Sequence, residues 1–345
     1  MSSNNISPAE ALSIPAIEES NPSRLVGSPL VSVLIITYNH EAYIEKAIEG
    51  VLQQRCPFPY EILIGEDAST DETRSVCLRL QKEYPDRIRI IASEANVGWQ
   101  RNFLRVWHRT RGKYVALCEG DDYWTCPEKL LRQVQLLEET PRVVLCGGKS
   151  LAVTAASDGS EAVLYAFGGP GNKTNYTLRD LFRVHPFHTS TVVLRAGTIE
   201  FPRWFYDINN GDRTIYLLSA SHGEVRMIAE IMSAYRIHPG GTWSHTPLDY
   251  QLGEISRLYN HFAEHFGPLY KKDVEDGLLL ARWSYLRMMV AYNRRVDARR
   301  CFFRALPLAL KVHPLRRVII TAFAVLSPSL SARVQQILTS GKRGR

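Results

Sequence analysis

Cysteine is scarce and nowhere arranged for use: Cys56, Cys77, Cys118, Cys126, Cys146 and Cys301 form no CxxC pair and no Cys/His spacing that would build a zinc site. That excludes a disulfide framework and a zinc ribbon, and it reads as reduced thiols, the usage of a cytoplasmic chain. Long apolar runs are also missing. The most apolar late stretch, Val318–Ser327, is about half of the roughly 20 residues a helix needs to cross a bilayer, and Pro328 closes it. Residues 1–27 lack the basic start and apolar middle of a signal peptide, so a disordered tail is expected over residues 1–28. No GxGxxG follows the first strand candidate and no GxxxxGK[ST] occurs, which argues against a dinucleotide-binding domain and a P-loop cradle.

What is present is an ordinary globular composition, 45% hydrophobic and 22% charged over 345 residues. That length suits a catalytic domain with a smaller appended one. The net charge of +7 is unevenly placed, because Asn293 to Arg345 holds twelve Lys or Arg and one Asp. The remaining chain holds 30 basic and 34 acidic residues, a net of −4. A basic tail on a mildly acidic body points to an anionic partner, either an anionic membrane surface or nucleic acid, although such charge runs are as often solvated helical faces.

From Leu30 to about Cys146, short β-rich runs alternate with amphipathic stretches, the pattern of strands joined by crossover helices. The strand candidates are Val31–Thr37, Glu61–Gly65, Arg87–Ala92, Lys113–Cys118 and Arg142–Cys146. Ala47, Ile48, Val51 and Leu52 recur at helical spacing, which predicts a helix over Glu41–Gln54. Ser69 and Glu72 have capping-box spacing, and Pro127 suits the first turn of the helix that carries Leu130, Leu131, Val134 and Leu137. Ser150–Lys173 reads as a loop or irregular hairpin, apolar runs return at Ser190–Arg195 and Glu224–Ile237, and a helical segment starts near Asp249.

In open α/β sheets, ligands bind beyond the carboxyl ends of the strands. Those positions are strongly polar here: Thr37, Tyr38, Asn39 and His40 after the first strand; Glu66, Asp67 and Ala68 to Asp71 after the second; Glu119, Gly120, Asp121 and Asp122 after the fourth. Carboxylates gathered in this way repel one another unless a cation or donor-rich ligand sits among them. A divalent metal with a nucleotide meets that need, and Asp121 and Asp122 are the best candidates to hold the metal.

The ordered set of motifs resembles family two of the inverting glycosyltransferases. It comprises Val33-Leu34-Ile35-Ile36-Thr37-Tyr38-Asn39, Glu61-Ile62-Leu63-Ile64-Gly65-Glu66-Asp67-Ala68-Ser69-Thr70-Asp71, Asn96-Val97-Gly98 and Gly112 through Trp124, then more loosely Gly211-Asp212-Arg213 and Tyr235 through Trp243. The resemblance implies an α/β GT-A fold, a Rossmann-like, mostly parallel sheet flanked by helices, over residues 29–245; the basic helical region over 246–345 is read from helical spacing and charge alone. It also implies a nucleotide-sugar donor and a glycan or lipid-linked acceptor for surface polysaccharide, while the charge and short apolar runs of the tail point to the inner face of the plasma membrane. By the same resemblance, Thr37 and Asn39 shape the nucleotide pocket and Asp67 accepts a hydrogen bond from the base. Glu119 opens the DxD-type motif, Asp121 orients ribose or diphosphate, and Asp122 holds Mg²⁺ or Mn²⁺. Asp212 is placed as the catalytic base, and His238 as a metal ligand or phosphate partner.

Each of these residues also has a plain structural alternative. Ser69 and Asp71 suit a helix N-terminus, Gly211-Asp212 suits a turn, His238 suits a loop beside Pro and Gly, and Trp124 and Trp243 suit packing as well as sugar stacking. Two other functions remain on the page. A nucleotidyltransferase also puts acids and a metal at strand ends but wants a basic Gly-rich loop after the first strand; a nucleic-acid-binding protein would use the basic tail, which has no helix-turn-helix or zinc pattern.

Overall fold

Strands covered on both faces need apolar residues at consecutive positions, and the first half of the chain supplies them. In the computed structural model of the chain, the residues described are 14–156, 160–169, 171, 173–241, 243, 246–291, 302–303 and 306. The basic stretch from Asn293 onward and the apolar run Val318–Ser327, both expected at a membrane face, lie outside the described residues apart from Phe302, Phe303 and Leu306. Among the described residues the chain divides into two units. The first is Met1–Leu181 with His185–Asp207 and Gly211–Gly241, and the second is Phe182–Val184 with Ile208–Asn210 and Thr242–Arg345.

The first unit opens with β1 (Ala16–Glu19) and β2 (Val31–Thr37), then α1 (Ile44–Leu52), β3 (Tyr60–Glu66), α2 (Thr73–Glu83), β4 (Ile88–Ser93), α3 (Trp99–Trp107) and β5 (Tyr114–Glu119). Strands β4, β3, β2 and β5 lie side by side and parallel, with Ile35 opposite Ile64 and Cys118. Then come β6 (Tyr123–Trp124), α4 (Lys129–Glu139), β7 (Val143–Ala155), β8 (Glu161–Phe167), β9 (Asn175–Tyr176), α5 (Leu178–Arg183), β10 (Val193–Arg195), α6 (Gly211–Ala220) and β11 (Glu224–Arg236). These extend the sheet with antiparallel neighbours: β10 pairs antiparallel with both β5 and β7, while β7 and β11 run parallel. The expected parallel order therefore holds for the first half and gives way to mixed pairing in the second.

Alternate residues of β2 settle the layers. Val31, Val33 and Ile35 face a core closed by Ile44, Ala47, Ile48 and Val51 of α1, Cys77 and Leu80 of α2, and Leu130, Val134 and Leu137 of α4. Each such fully buried aliphatic contributes about 1.5–3 kcal/mol relative to exposure. Helix α3 packs through Asn102, whose side-chain amide donates to the Gly65 carbonyl at 2.8 Å. A Cβ on Gly65 would stand 2.5 Å from that side chain, so only glycine admits the helix so close.

Three expectations shift. Inside the expected tail, Ala16–Glu19 pairs antiparallel with β4, and Glu18 takes Arg89 Nε and Nη2 at 2.8 and 3.0 Å. The capping box does not form. Helix α2 starts at Thr73 after Glu72, with no side-chain cap, and Ser69 instead accepts the Asn39 N–H at 3.0 Å. Within the expected loop, Ser150–Ala155 at the end of β7 pairs antiparallel with Glu161–Phe167 of β8, more regular than the Gly- and Ser-rich composition implies.

The continuous part of the second unit starts at Thr242. It contains α7 (Leu248–Phe266) and α8 (Lys271–Ala291). Gly267, at φ 65°, ends α7 in a conformation that side-chain-bearing residues rarely adopt. Arg183 meets Asp273 at 2.8 Å and Asp276 at 3.0 Å. Among the described residues no helix is long and apolar enough to cross a membrane.

Candidate active site

The polar strand ends meet as the parallel order requires. Strand β2 ends at Thr37, and the chain turns through Asn39 at φ 55°; β3 ends at Glu66 and turns through Ala68 at φ 57°. A positive φ at a non-glycine residue is strained by about 1–3 kcal/mol, more for Ala than for Asn, and surrounding bonds must hold it. They do: Asn39 Oδ1 accepts the Thr70 N–H at 2.8 Å, and His40 N–H donates to Thr73 Oγ1 at 2.7 Å.

Asp67 is 2% exposed, and its two carboxylate oxygens accept the Val97 and Gly98 N–H groups at 2.9 and 3.0 Å. Burial pushes its carboxyl up to about 6, against those two bonds. Two motifs that stood apart in the sequence are thus one device, with Asp67 fixing the Asn96–Gly98 turn that starts α3. Each oxygen keeps a second lone pair for a ligand.

The acids after β5 form a crowded corner. Glu119 is held up at about 8, first by burial and then by the charge of Asp121, and its Oε2 is buried without a hydrogen-bond partner. Asp122 is 2% exposed and is raised well above the carboxylate range by burial, Asp121 and Glu119; its Oδ1 accepts the Arg236 N–H at 3.0 Å. Burial works on Asp121 as well, yet the His238 contact and the charge of His40 hold its carboxyl below the usual value. Its Oδ2 lies 3.1 Å from His238 Nε2 and 3.8 Å from His40 Nε2, while His40 Nδ1 is 3.2 Å from Thr37 Oγ1. Thr37, Asp121, Asp122 and His238 are therefore brought together, and His40 joins them.

This corner is braced from β8 and β11. The Arg236 guanidinium donates to the Asp121 carbonyl at 2.8 Å and to Glu161 at 2.7 Å, and lies 4.3 Å over the Tyr123 ring. Glu161 also accepts Lys46 at 2.8 Å and the Tyr123 hydroxyl at 2.5 Å. Burial pushes Glu161 up, but these three donors hold it at about 2.

A hard cation suits the corner, since three repelling carboxylates and an orphaned buried oxygen stand together. Among the described residues no group of three or more His, Cys, Asp or Glu side chains is placed to hold a metal ion by itself. An ion here would take one or two carboxylates and complete its shell with phosphate oxygens and water, the habit of Mg²⁺. On those terms the residues fit it.

Asp212 belongs to a different place, the first turn of α6, where the helix dipole favours an anion. A Cβ on the preceding Gly211 would stand 2.3 Å from the Trp99 ring, so glycine lets the helix start against α3. The Arg213 N–H donates to Asp212 Oδ1 at 2.6 Å, and His185 Nε2 stands 2.8 Å from Oδ2. Burial pushes the carboxyl up, yet His185 and the Arg213 amide hold it at about 2. With a side chain 19% exposed, it still reaches solvent. It does not touch the acid corner, but its charge is felt by Glu119.

Residues 32–162 match Glycosyl transferase family 2. The chain carries a glycosyl transferase family 2 domain. An uncharacterised protein of Mycobacterium tuberculosis is 34% identical over 215 residues, 62% of this chain and 60% of the relative. The putative teichuronic acid biosynthesis glycosyltransferase TuaG of Bacillus subtilis is 35% identical over 132 residues, 38% of this chain and 50% of the relative. The chain thus spans about three fifths or less of the length of these relatives. TarS of S. aureus superposes with a TM-score of 0.57 at 16% identity, covering 90% of this chain and 91% of that one. The mannosyltransferase PcManGT of Pyrobaculum calidifontis gives 0.53 at 16% identity, covering 94% and 92%. These likenesses show the fold, the GT-A type expected of a family 2 domain.

Proposed function

We propose that the chain is an inverting, metal-dependent glycosyltransferase that moves a sugar from a nucleotide-sugar donor to a hydroxyl of a glycan or lipid-linked acceptor, in polysaccharide biosynthesis. The observation that carries this reading is the acid corner after β5, built inside a family 2 domain at the carboxyl edge of its parallel strands. The family match does not favour the nucleotidyltransferase or nucleic-acid readings. Among the fold neighbours, TarS has been crystallised with UDP-GlcNAc and PcManGT with GDP-Man and Mn²⁺, which supports a donor of that class here.

In this reading Thr37, Asn39 and Asp67 border the nucleotide, Glu119 and Asp121 face ribose and diphosphate, and Asp122 with His238 holds Mg²⁺ or Mn²⁺. The ion supplies positive charge against the leaving diphosphate. Asp212 takes the proton from the acceptor hydroxyl as that oxygen attacks the anomeric carbon opposite the diphosphate, which inverts the centre. Lys46, Tyr123, Glu161 and Arg236 hold the corner still, so that its charge is placed before the donor arrives.

The experiment is release of nucleoside diphosphate by the full-length chain from UDP-GlcNAc, GDP-Man and a dTDP-sugar, with Mn²⁺ and with EDTA. Metal-dependent release from one donor is expected; release from none of a broad nucleotide-sugar panel would overturn the reading. The basic stretch from Asn293 is proposed to rest on an anionic membrane surface, on the strength of its charge. Co-sedimentation with phosphatidylserine vesicles at physiological salt is expected, and indifference to them would remove that part.

A further inference from the structure

A carboxylate that accepts a proton inside a protein must first be ionised, and burial opposes ionisation. Around Asp212 the titratable groups come from three elements: Arg213 and Tyr216 from α6 itself, Glu119 from the end of β5, and His185 and His188 from the segment before β10. Glu119 opposes an anion there. His188, with burial holding it at about 4, supplies no charge near neutral pH, and it stacks instead on Tyr235 at 4.2 Å. His185 is different. Its Nε2 reaches to 2.8 Å of Asp212 Oδ2, and its ring is fixed by stacking on Tyr216 at 5.5 Å and 21°. Tyr216 is in turn 1% exposed.

We propose that His185 is the positioning residue of the transfer, holding the Asp212 carboxylate as an anion with a fixed aim at the start of α6. The inference rests on the reading of Asp212 as the base. In the step itself, the acceptor oxygen gives its proton to Asp212 and its electron pair to the anomeric carbon, and the bond from that carbon to the diphosphate breaks with its pair leaving on phosphate. His185 stays beside Oδ2 throughout, and the proton lands on a lone pair that neither His185 nor the Arg213 amide occupies.

The test uses His185→Gln, which keeps an N–H donor and loses the imidazole. Carboxyl-carbon NMR on the full-length chain labelled at aspartate follows the Asp212 resonance, assigned by its loss in Asp212→Asn. In the wild type Asp212 is expected to stay ionised down to pH ~4, and in His185→Gln its midpoint should rise by about 1–3 units. Nucleoside diphosphate release by the same variant should gain an acid limb at that midpoint and recover as pH rises. His185→Asn replaces it if near-ultraviolet circular dichroism shows that the Gln variant fails to fold. An unmoved midpoint, or a rate loss that no pH restores, overturns this inference alone. Asp212→Asn at full rate overturns the reading of the base, and this inference with it.

Discussion

Two acidic places in the first unit carry opposite electrostatics. In the corner after β5, Glu119 is held at about 8 and Asp122 well above the carboxylate range. At the start of α6, Asp212 is held at about 2. Burial pushes in the same direction at both places, so the neighbours decide the outcome. Glu119 and Asp122 have other acids as near neighbours, whereas Asp212, like Asp121 beside His238, has an imidazole close by, at 2.8 Å, and a backbone amide at 2.6 Å. Carboxylates that repel one another are a place for a cation, whereas a single carboxylate with its own partners stays ionised. In the proposed function, the difference separates binding from chemistry.

The largest effect that sharpens this comparison is on turnover. Asp212→Asn keeps shape and loses the base, so transfer should fall by at least about 10² with donor affinity nearly unchanged, as general-base catalysis is worth about 10² to 10⁴. A variant that transfers at the wild-type rate would return Gly211-Asp212 to a plain helix start. Circular dichroism must accompany the assay, because a collapsed protein imitates the same loss.

A smaller effect, on stability, should run in opposite directions at the two places. Glu119 is raised from 4.5 to about 8, so its contribution is full below about pH 4.5 and is lost as pH rises to 8. Glu119→Gln should therefore melt higher than the wild type at pH 8, by about 2 kcal/mol or more, and match it near pH 4.5. Asp212 is lowered from 3.8 to about 2, so its contribution is present above pH 3.8 and is lost as pH falls towards 2. Asp212→Asn should lose about 2 kcal/mol at pH 7, and less as the pH approaches 2. Thermal melts across pH decide both, and shifts of equal sign would break the comparison.

The sequence discloses the first place far better than the second. Consecutive apolar residues mark β2, β3 and β5, and the polar residues that follow them are the corner itself, so Thr37, Asp67, Asp121 and Asp122 can be found by local pattern. What braces the corner is not local: Glu161 and Arg236 are 75 residues apart, and neither has a neighbour that announces the other. His185 is missed for the same reason. The pair His185 and His188 just before an apolar run is a signal, but which carboxylate they meet depends on where α6 begins. Ser69 and Glu72 mislead in the other direction, because their capping spacing is overridden by the pull of Asn39 across the strand ends. Strand β1 hides in polar sequence, since Glu18 is recruited by Arg89 rather than by any apolar pattern.

Calorimetric titration of UDP-GlcNAc and GDP-Man into the wild type, Asp122→Asn and Asp212→Asn, each with Mn²⁺ and with EDTA, tests the division between the two places most directly. For the donor that binds, affinity should fall by about tenfold or more when EDTA removes the metal, because the corner's carboxylates then face the diphosphate charge. Asp122→Asn should show the same loss with Mn²⁺ present, while Asp212→Asn should bind as the wild type does. Equal affinity with Mn²⁺ and with EDTA, or a loss in Asp212→Asn as large as in Asp122→Asn, would contradict the account.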